Sequence, residues 1–454
     1  MNFIFRLKTF LLFATLTTAP QLRADENHSS TTHSSPAWIR DAVIYEIFTR
    51  NFSAAGTFSA ITTRLDELND LGVDVLWLMP IHPIGAKLRK GSVGSPYAIR
   101  DYYAIDPANG TSAEFKQLVT AAHKRGMKII LDLVANHTAW DSVMMKHPEF
   151  YKQDAHGKII PPVEGWTDVA GLNYANPKLR DYMITMMRHW LVDFDVDGFR
   201  CDVAYMVPTD FWEQARTELE KVKPGFILLA EASKPELLLH AFNLDYAWPM
   251  HGKLNEVLLQ GKPASELQQS WETTRRQFPK NSLHLRISDN HDEARAVARF
   301  GIHGALAAQV LMLTLDGVPL FYNGMEVGDA AESGDPALFE KLPIFWHAKE
   351  RPPLRAIYRD LIALRKNHPA FRTDDVTWLT NSAADNVLTF LRADNQEEFL
   401  ILINFSNRPL TASVEVTNAD KFQPVKISGH QPPALEAGAL KLGGFEWRVY
   451  RRAL

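Results

Sequence analysis

Arg200 and Asp202 lie two positions apart in the apolar run Gly198-Phe199-Arg200-Cys201-Asp202. Side chains alternate in an extended chain, so these two share one face and Phe199 and Cys201 the other. A cation and an acid inside such a run form either a buried ion pair or a carboxylate held ionised beside a charge. Further along, Ile227-Leu228-Leu229-Ala230 runs directly into Glu231. Ser288-Asp289-Asn290-His291-Asp292 closes another apolar segment, and Asp132, Asn136 and His137 close a third. One carboxylate ending an apolar segment is an ordinary terminator. Several of them, with two histidines and an arginine and no sequence sign of a catalytic metal or cofactor, suit hydrolysis of a glycosidic bond. There one carboxylate attacks the anomeric carbon and another, kept protonated, protonates the leaving oxygen. The expected division is Asp202 as nucleophile, its pKa lowered by Arg200, and Glu231 as acid, its pKa raised by desolvation.

These groups meet only if the apolar segments are neighbouring strands. Strand candidates are Val43–Thr49, Val73–Met79, Lys128–Val134, Val196–Val203, Phe226–Ala230, Phe242–Ala247, Leu283–Ser288 and Val318–Tyr322. Helical spacing falls between them at Ser59–Leu71, Ser112–Arg125, Pro177–Asp193, Asp210–Val222, Lys253–Gln277 and Leu306–Leu315, with a last helix at Leu354–Lys366. Eight strands alternating with helices predict an α/β fold, a closed (β/α)8 TIM barrel over residues 38–372. An open doubly wound sheet would want a Gly-rich phosphate loop after an early strand, and Gly91–Pro96 follows a loop and lacks that spacing. Barrel chemistry sits at the C-terminal strand ends, where Asp132, Asp202, Glu231 and Asp292 fall. Adjacent strands favour the roughly 5–5.5 Å carboxyl separation of a retaining enzyme. After the third strand a short insertion, residues 138–176, carries Trp140, Phe150, Tyr151, Trp166 and Tyr174. Beyond Thr373 the pattern becomes short alternating strands, predicting a C-terminal all-β sandwich domain over 373–454.

The N-terminus reads as a targeting segment. Arg6 and Lys8 precede an apolar run from Thr9 to about Leu16, and Ala24 is a plausible cleavage point, so residues 1–24 read as a signal peptide and the protein as exported, periplasmic or secreted. The run is well short of the roughly 20 residues of a membrane span, so no membrane association is expected after cleavage. Residues 25–37, rich in Ser and Thr, read as a flexible leader. Of 454 residues, 46% are hydrophobic and 22% charged, the balance of a globular protein with a sizeable core. The net charge of −4 gives no reason to expect a nucleic-acid partner. Cys201, the single cysteine, has no partner for an intramolecular disulfide.

Four segments, DLVANH (Asp132–His137), DGFRCDVA (Asp197–Ala204), ILLAEA (Ile227–Ala232) and SDNHDEAR (Ser288–Arg295), resemble in order the four short signatures of the α-amylase family, family 13 of the glycoside hydrolases. Supporting matches are GVDVLWLMPIHP (Gly72–Pro83), GSPYAIRDYYAIDP (Gly94–Pro107) and DGVPLFYNGMEVG (Asp316–Gly328). The resemblance implies Asp202 as nucleophile, Glu231 as general acid/base and Asp292 as a third carboxylate gripping the 2- and 3-hydroxyls of the sugar. It implies His137 and His291 in the same subsite, Arg200 orienting the nucleophile, Tyr97 stacking under the sugar and Asp132 supporting that shell. An α-glucan or maltooligosaccharide is then the expected substrate.

The sequence also departs from the family pattern. Many relatives hold a structural calcium ion through an Asn of the first signature, an Asp of the insertion and a carbonyl four residues after the nucleophile. Asn136 is present, but Gly171 stands where the Asp is expected and Met206 where the His is expected, so this site is expected to be absent and no cofactor is implied. Trp77 and Trp346 read as core or barrel-rim residues, Glu326 as structural hydrogen bonding beyond the eighth strand, and Cys201 as packing. Taken singly, His137 or His291 is more often an ordinary structural histidine. A transglycosylase or isomerase would use the same carboxylates, whereas a non-catalytic binding subunit would tend to have lost them. A metal-dependent barrel hydrolase would want a His-x-His pair or a Lys at a strand end. Oligomeric state, endo or exo action and linkage preference are not legible.

Overall fold

The computed structural model describes residues 32–331, 335–348, 352–435 and 439–454; the segment read as a signal peptide lies outside them. The strands, in chain order, begin with β1 (Ile44–Ile47), β2 (Val75–Leu78) and β3 (Lys128–Leu133). A small insertion carries β4 (His137–Ala139) and β5 (Val169–Gly171), which pair antiparallel. Then come β6 (Gly198–Cys201), β7 (Ile227–Ala230), β8 (Leu244–Tyr246), β9 (Leu283–Arg286) and β10 (Val318–Tyr322). β1, β2, β3 and β6 to β10 close into a parallel barrel of the predicted strand order.

The barrel strands are mostly apolar because both faces are covered. Ile44, Val75, Trp77, Ile130, Leu229, Leu285 and Leu320 fill the barrel interior, while Leu76, Leu131, Phe199 and Leu228 pack outward against the helices. Register fixes which polar groups face one another: Asp132 opposite Arg200, and Cys201 opposite Ala230, so Asp202 and Glu231 occupy adjoining positions just past their strands. β6 can approach β7 this closely because it opens on Gly198 (φ +155°), where a Cβ would sit 2.2 Å from the Ile227 carbonyl oxygen.

The helices differ from expectation where glycine interrupts them. The run read as Lys253–Gln277 is two helices, Trp248–Gln260 and Ser265–Gln277, because Gly261 (φ +67°) ends the first in a left-handed cap and Pro263 follows. Without any glycine, Ser59–Leu71 also divides, into Phe58–Thr62 and Leu65–Leu71. The run read as Leu306–Leu315 extends over Ala296–Thr314, with a break at Gly301 (φ +70°). That helix is long and apolar enough to cross a bilayer, but 67% of its most apolar window is buried inside the protein, which makes it a core helix. The described end of the leader is held rather than free: His33 N donates to Leu238 O at 2.9 Å, Ser35 Oγ to Asn243 O at 3.4 Å, and a helical turn begins at Ala37.

Beyond the last barrel helix, Leu354–Asn367, follow β11 (Val376–Trp378), β12 (Val387–Ala393), β13 (Glu397–Asn404), β14 (Leu410–Ser413), β15 (Gln423–Pro424), β16 (Ala439–Leu442) and β17 (Trp447–Ala453). β11-β12-β13-β17-β15 form one sheet and β14-β16 a two-stranded ribbon. Phe399, Ile401, Ile403 and Trp447 join the main core, whereas Leu400, Leu402 and Tyr450 pack with Leu440 of the ribbon. Phe399 and Trp447 are therefore core residues. Buried Arg392 on β12 donates to Thr314 O at 2.9 Å, tying this domain to the barrel.

Candidate active site

The C-terminal mouth of the barrel gathers every sequence-predicted site residue. At its centre is Arg200, fully buried on β6. Its Nη1 donates to Asp132 Oδ1 (2.9 Å) and Asp202 Oδ1 (3.2 Å). Nη2 is ion-paired with Glu231 Oε2 at 2.8 Å, out of hydrogen-bonding alignment. Nε donates to the Tyr246 hydroxyl (3.1 Å), which fixes the plane of the guanidinium. Asp202 Oδ2 is buried without a hydrogen-bond partner among the described residues.

The chain leaves β6 through Val203 in a left-handed conformation (φ +36°) that a β-branched residue rarely adopts. The turn aims Val203 N–H at Glu231 Oε2, 2.7 Å away. Such strain is typical of functional sites. On the other side, buried tyrosines hold the segment after β3: Tyr102 Oη donates to Val134 O (2.6 Å) and His137 O (2.8 Å), and Tyr174 Oη to Ala135 O (2.7 Å). His137 is thereby fixed with Trp166 edge-on at 5.5 Å, and burial lowers its pKa to about 4, so it is neutral. Tyr97 stacks on His291 at 5.5 Å, its hydroxyl 2.7 Å from His291 Nε2 and donating to Asp132 Oδ2 at 3.1 Å.

His291 bridges two acids. Its Nδ1 makes a short contact with Glu46, and its Nε2 lies 3.2 Å from Asp292 Oδ1. Burial alone would lower the His291 pKa, but the Asp292 and Glu46 carboxylates hold it well above the usual histidine value. Reciprocally, burial would raise Asp292, yet His291 holds it down to about 2. Asp292 is thus an ionised acid at any ordinary pH.

Asp202 does not follow the expectation. Arg200 does pull its pKa down, but burial and the neighbouring Glu231 carboxylate outweigh that pull and raise it well above the usual aspartate value. One guanidinium is shared among Asp132, Asp202 and Glu231 and cannot hold all three ionised. Glu231 is raised as expected, chiefly by burial and against Arg200. Asp202 and Glu231 therefore titrate as a pair that retains a proton.

Two members of this shell are not singled out in the sequence. Glu46 is fully buried on β1 and pairs with His291 across 245 positions of chain; its only signal is one acid inside the apolar run Ile44-Tyr45-Glu46-Ile47. Tyr246 looks like any strand aromatic. Trp77 is core, as expected, and its Nε1 also donates to Asp132 Oδ2 at 3.2 Å. Glu326 accepts from the Tyr45 hydroxyl (2.8 Å), away from the carboxylate cluster, and Cys201 is buried on the outward face. Trp346 packs on Phe52 at 5.1 Å, at the barrel periphery. At the position of the family's calcium ion, Asn136 Nδ2 lies 3.9 Å from Met206 Sδ, and Gly171 pairs with His137. Gly171 brings no carboxylate here, so one of the charged oxygen ligands that calcium prefers is missing.

A catalytic-domain model of alpha amylase matches residues 26–158 and 164–341. The α-amylase MalA of Haloarcula japonica is 30% identical over 402 residues, 84% of this chain; the chain spans 58% of that relative's length. A cyclomaltodextrinase of Geobacillus thermopakistaniensis is 26% identical over 87% of this chain and 74% of its own. Among solved structures, the maltogenic α-amylase AmyB of Thermotoga neapolitana superposes with TM-score 0.81 at 29% identity, covering 92% of this chain and 99% of its own. An α-amylase of Lactobacillus plantarum gives TM-score 0.82 at 30% identity, covering 91% and 99%. With the strand-end carboxylates held in one closed barrel and the family model matched over most of the chain, the protein belongs to the α-amylase family of glycoside hydrolases.

Proposed function

We propose that the chain is an exported, retaining α-glycosidase that hydrolyses α-glucosidic bonds of maltooligosaccharides or α-glucans through a covalent glycosyl-enzyme intermediate. The observation that carries the reading is the Asp202–Arg200–Glu231 arrangement on adjoining strands. Neighbouring strands lie roughly 4.8 Å apart, which leaves room for direct attack but not for an interposed water.

In this reading the retained proton resides on Glu231. Arg200 keeps Asp202 ionised in that microstate, with Oδ2 free to attack the anomeric carbon. Glu231 gives its proton to the leaving oxygen and then, as a carboxylate, takes one from the incoming water. Ionised Asp292 accepts hydrogen bonds from two sugar hydroxyls, and the Tyr97 ring packs on the apolar face of the sugar. His137 and His291 complete the grip.

The substrate class is supported by the relatives, whose names are those of α-amylases, a cyclomaltodextrinase and maltogenic amylases. Export is supported by the N-terminal sequence pattern, and operation without the family's calcium by the donor set at Asn136, Gly171 and Met206. A 4-α-glucanotransferase uses the same intermediate, with a sugar hydroxyl in place of water. Maltoheptaose followed by NMR, with and without EDTA, tests the mechanism, the reaction class and the calcium reading. The expected result is α-anomeric product first, products shorter than the substrate, and indifference to EDTA. A β-anomer first overturns the mechanism, products longer than the substrate favour transfer, and EDTA-sensitive activity overturns the calcium reading.

A further inference from the structure

The segment Ile84–Pro96, between β2 and Tyr97, is pinned to two distant parts of the chain. Towards the insertion, Ala86 N donates to Asp141 Oδ2 at 2.9 Å and Lys90 Nζ pairs with Asp168 Oδ1 at 3.0 Å. Gly85 lies so close to Ala139 that a Cβ would stand 2.2 Å from the alanine methyl. Towards the segment after β10, Ser92 N donates to Glu340 Oε1 at 2.9 Å and the Ser92 hydroxyl contacts the same carboxylate. Val93 N donates to Phe339 O at 3.0 Å, and Arg50 ties Gly94 O (3.0 Å) to Leu338 O (3.1 Å). Lys90 Nζ also stands 6.0 Å from the Phe339 ring centre, so it touches both anchors.

The result is one continuous band from the insertion, through the strap, to the segment after β10. It passes beside the site on the side of Tyr97 and His137. The Asp168 carboxylate acts on His137, and Trp166, two residues before it, packs on that ring. Glu231 lies on the opposite side, with Tyr205 49% exposed beyond it and close enough for its phenol to feel both Glu231 and Asp202. The leaving group must lie where Glu231 can protonate it. The sugar bonded to Asp202 carries the rest of the glucan through its O4, away from Glu231.

We propose that this band closes the cleft on the non-reducing side, so the enzyme cuts near chain ends and releases short saccharides instead of cleaving internal bonds. The Lys90–Asp168 and Ser92–Glu340 contacts are the latches. This inference rests on the reading of the site as an α-glucan hydrolase.

The test compares maltoheptaose with maltoheptaose whose terminal non-reducing O4 and O6 are bridged by an ethylidene group, products being separated by chromatography. The wild-type protein is expected to hydrolyse the open substrate and to be slower on the capped one by roughly 100-fold or more, the scale of a misfit in a closed pocket. The double variant Lys90→Ala/Glu340→Ala should narrow that ratio by about tenfold or more, a change of some 1.4 kcal/mol in relative barrier. Glu340→Gln, which can still accept from Ser92, should keep the wild-type ratio. Equal rates on the two substrates overturn the closed cleft while leaving the hydrolase reading intact. Discrimination that survives the double variant overturns the latch assignment. If the variants do not fold, the wild-type ratio alone decides whether the cleft is closed, and no turnover of either substrate removes the functional reading and this inference with it.

Discussion

Glu46→Gln is the most informative single substitution, because Glu46 touches no substrate position and acts only through His291. In the native site Glu46 accepts from His291 Nδ1, and together with Asp292 keeps the imidazole charged. The amide is nearly isosteric and can still accept a hydrogen bond, but it carries no charge. His291 then loses one of the two acids that oppose burial, and Asp292 loses much of the cation that holds its pKa at about 2. A hydrogen bond to a charged group contributes about 1.5–3 kcal/mol. Losing one such increment of transition-state stabilisation lowers kcat/KM by about 10- to 150-fold. The sign of the pH effect follows from the direction of the shift. Once His291 carries less positive charge, both Asp292 and Glu231, the latter in the coupled pair that sets the acid limb of the rate profile, bind a proton more readily, so that limb moves to higher pH. The assay is kcat/KM on a nitrophenyl α-maltoside across the acid range, with circular dichroism to match folding. A folded variant with wild-type kcat/KM and an unmoved acid limb would refute the proposed coupling of Glu46 through His291 to Asp292.

Other consequences follow from the same geometry. Glu231→Gln should cut hydrolysis of maltooligosaccharides by about 10²–10⁴, the usual contribution of a positioned acid, and an aryl α-maltoside with a good leaving group should recover part of it. Asp202→Asn should show no such recovery; rescue of both variants alike would undo the division of roles. Gly198→Ala places a methyl 2.2 Å from Ile227 O and must part β6 from β7, so loss of both activity and thermal stability is expected, and a wild-type melting curve would contradict it. Asp197 accepts from His123 Nε2 (2.7 Å), Ile129 N (2.9 Å) and Lys128 Nζ (3.2 Å). Burial opposes ionisation there, but these partners leave its pKa below the ordinary value. Its stabilisation is therefore present above the ordinary aspartate pKa of about 3.9 and fades as pH falls through the lowered folded value. Asp197→Asn should cost about 1–3 kcal/mol in urea unfolding at neutral pH, with the gap to wild type narrowing in acid. A gap independent of pH would mean that the charge is not what matters.

The barrel and its strand-end carboxylates are legible in the sequence because each is a local pattern. A strand buried on both faces is a short apolar run, and Asp132, Asp202, Glu231 and Asp292 each stand at or just beyond the end of one. Order along the chain then becomes order around the barrel, since parallel strands with right-handed crossovers leave little choice of neighbour. Helix ends were less legible. Gly261 and Gly301 interrupt otherwise continuous helical spacing, and the break depends on a left-handed backbone that periodicity does not record.

What tertiary structure alone decided is how distant groups share charge and space. Glu46 gains its role only when β1 closes the barrel and faces a histidine 245 positions away. The direction of the Asp202 shift could not be read from its spacing to Arg200, because the same guanidinium also serves Asp132 and Glu231 and all four groups are largely withdrawn from water. The band across the cleft joins Lys90 to Asp168 and Ser92 to Glu340, segments with no common sequence signal. Local patterning determines which elements form. Electrostatics and enclosure are sums over everything nearby, and nearness is a property of the folded chain.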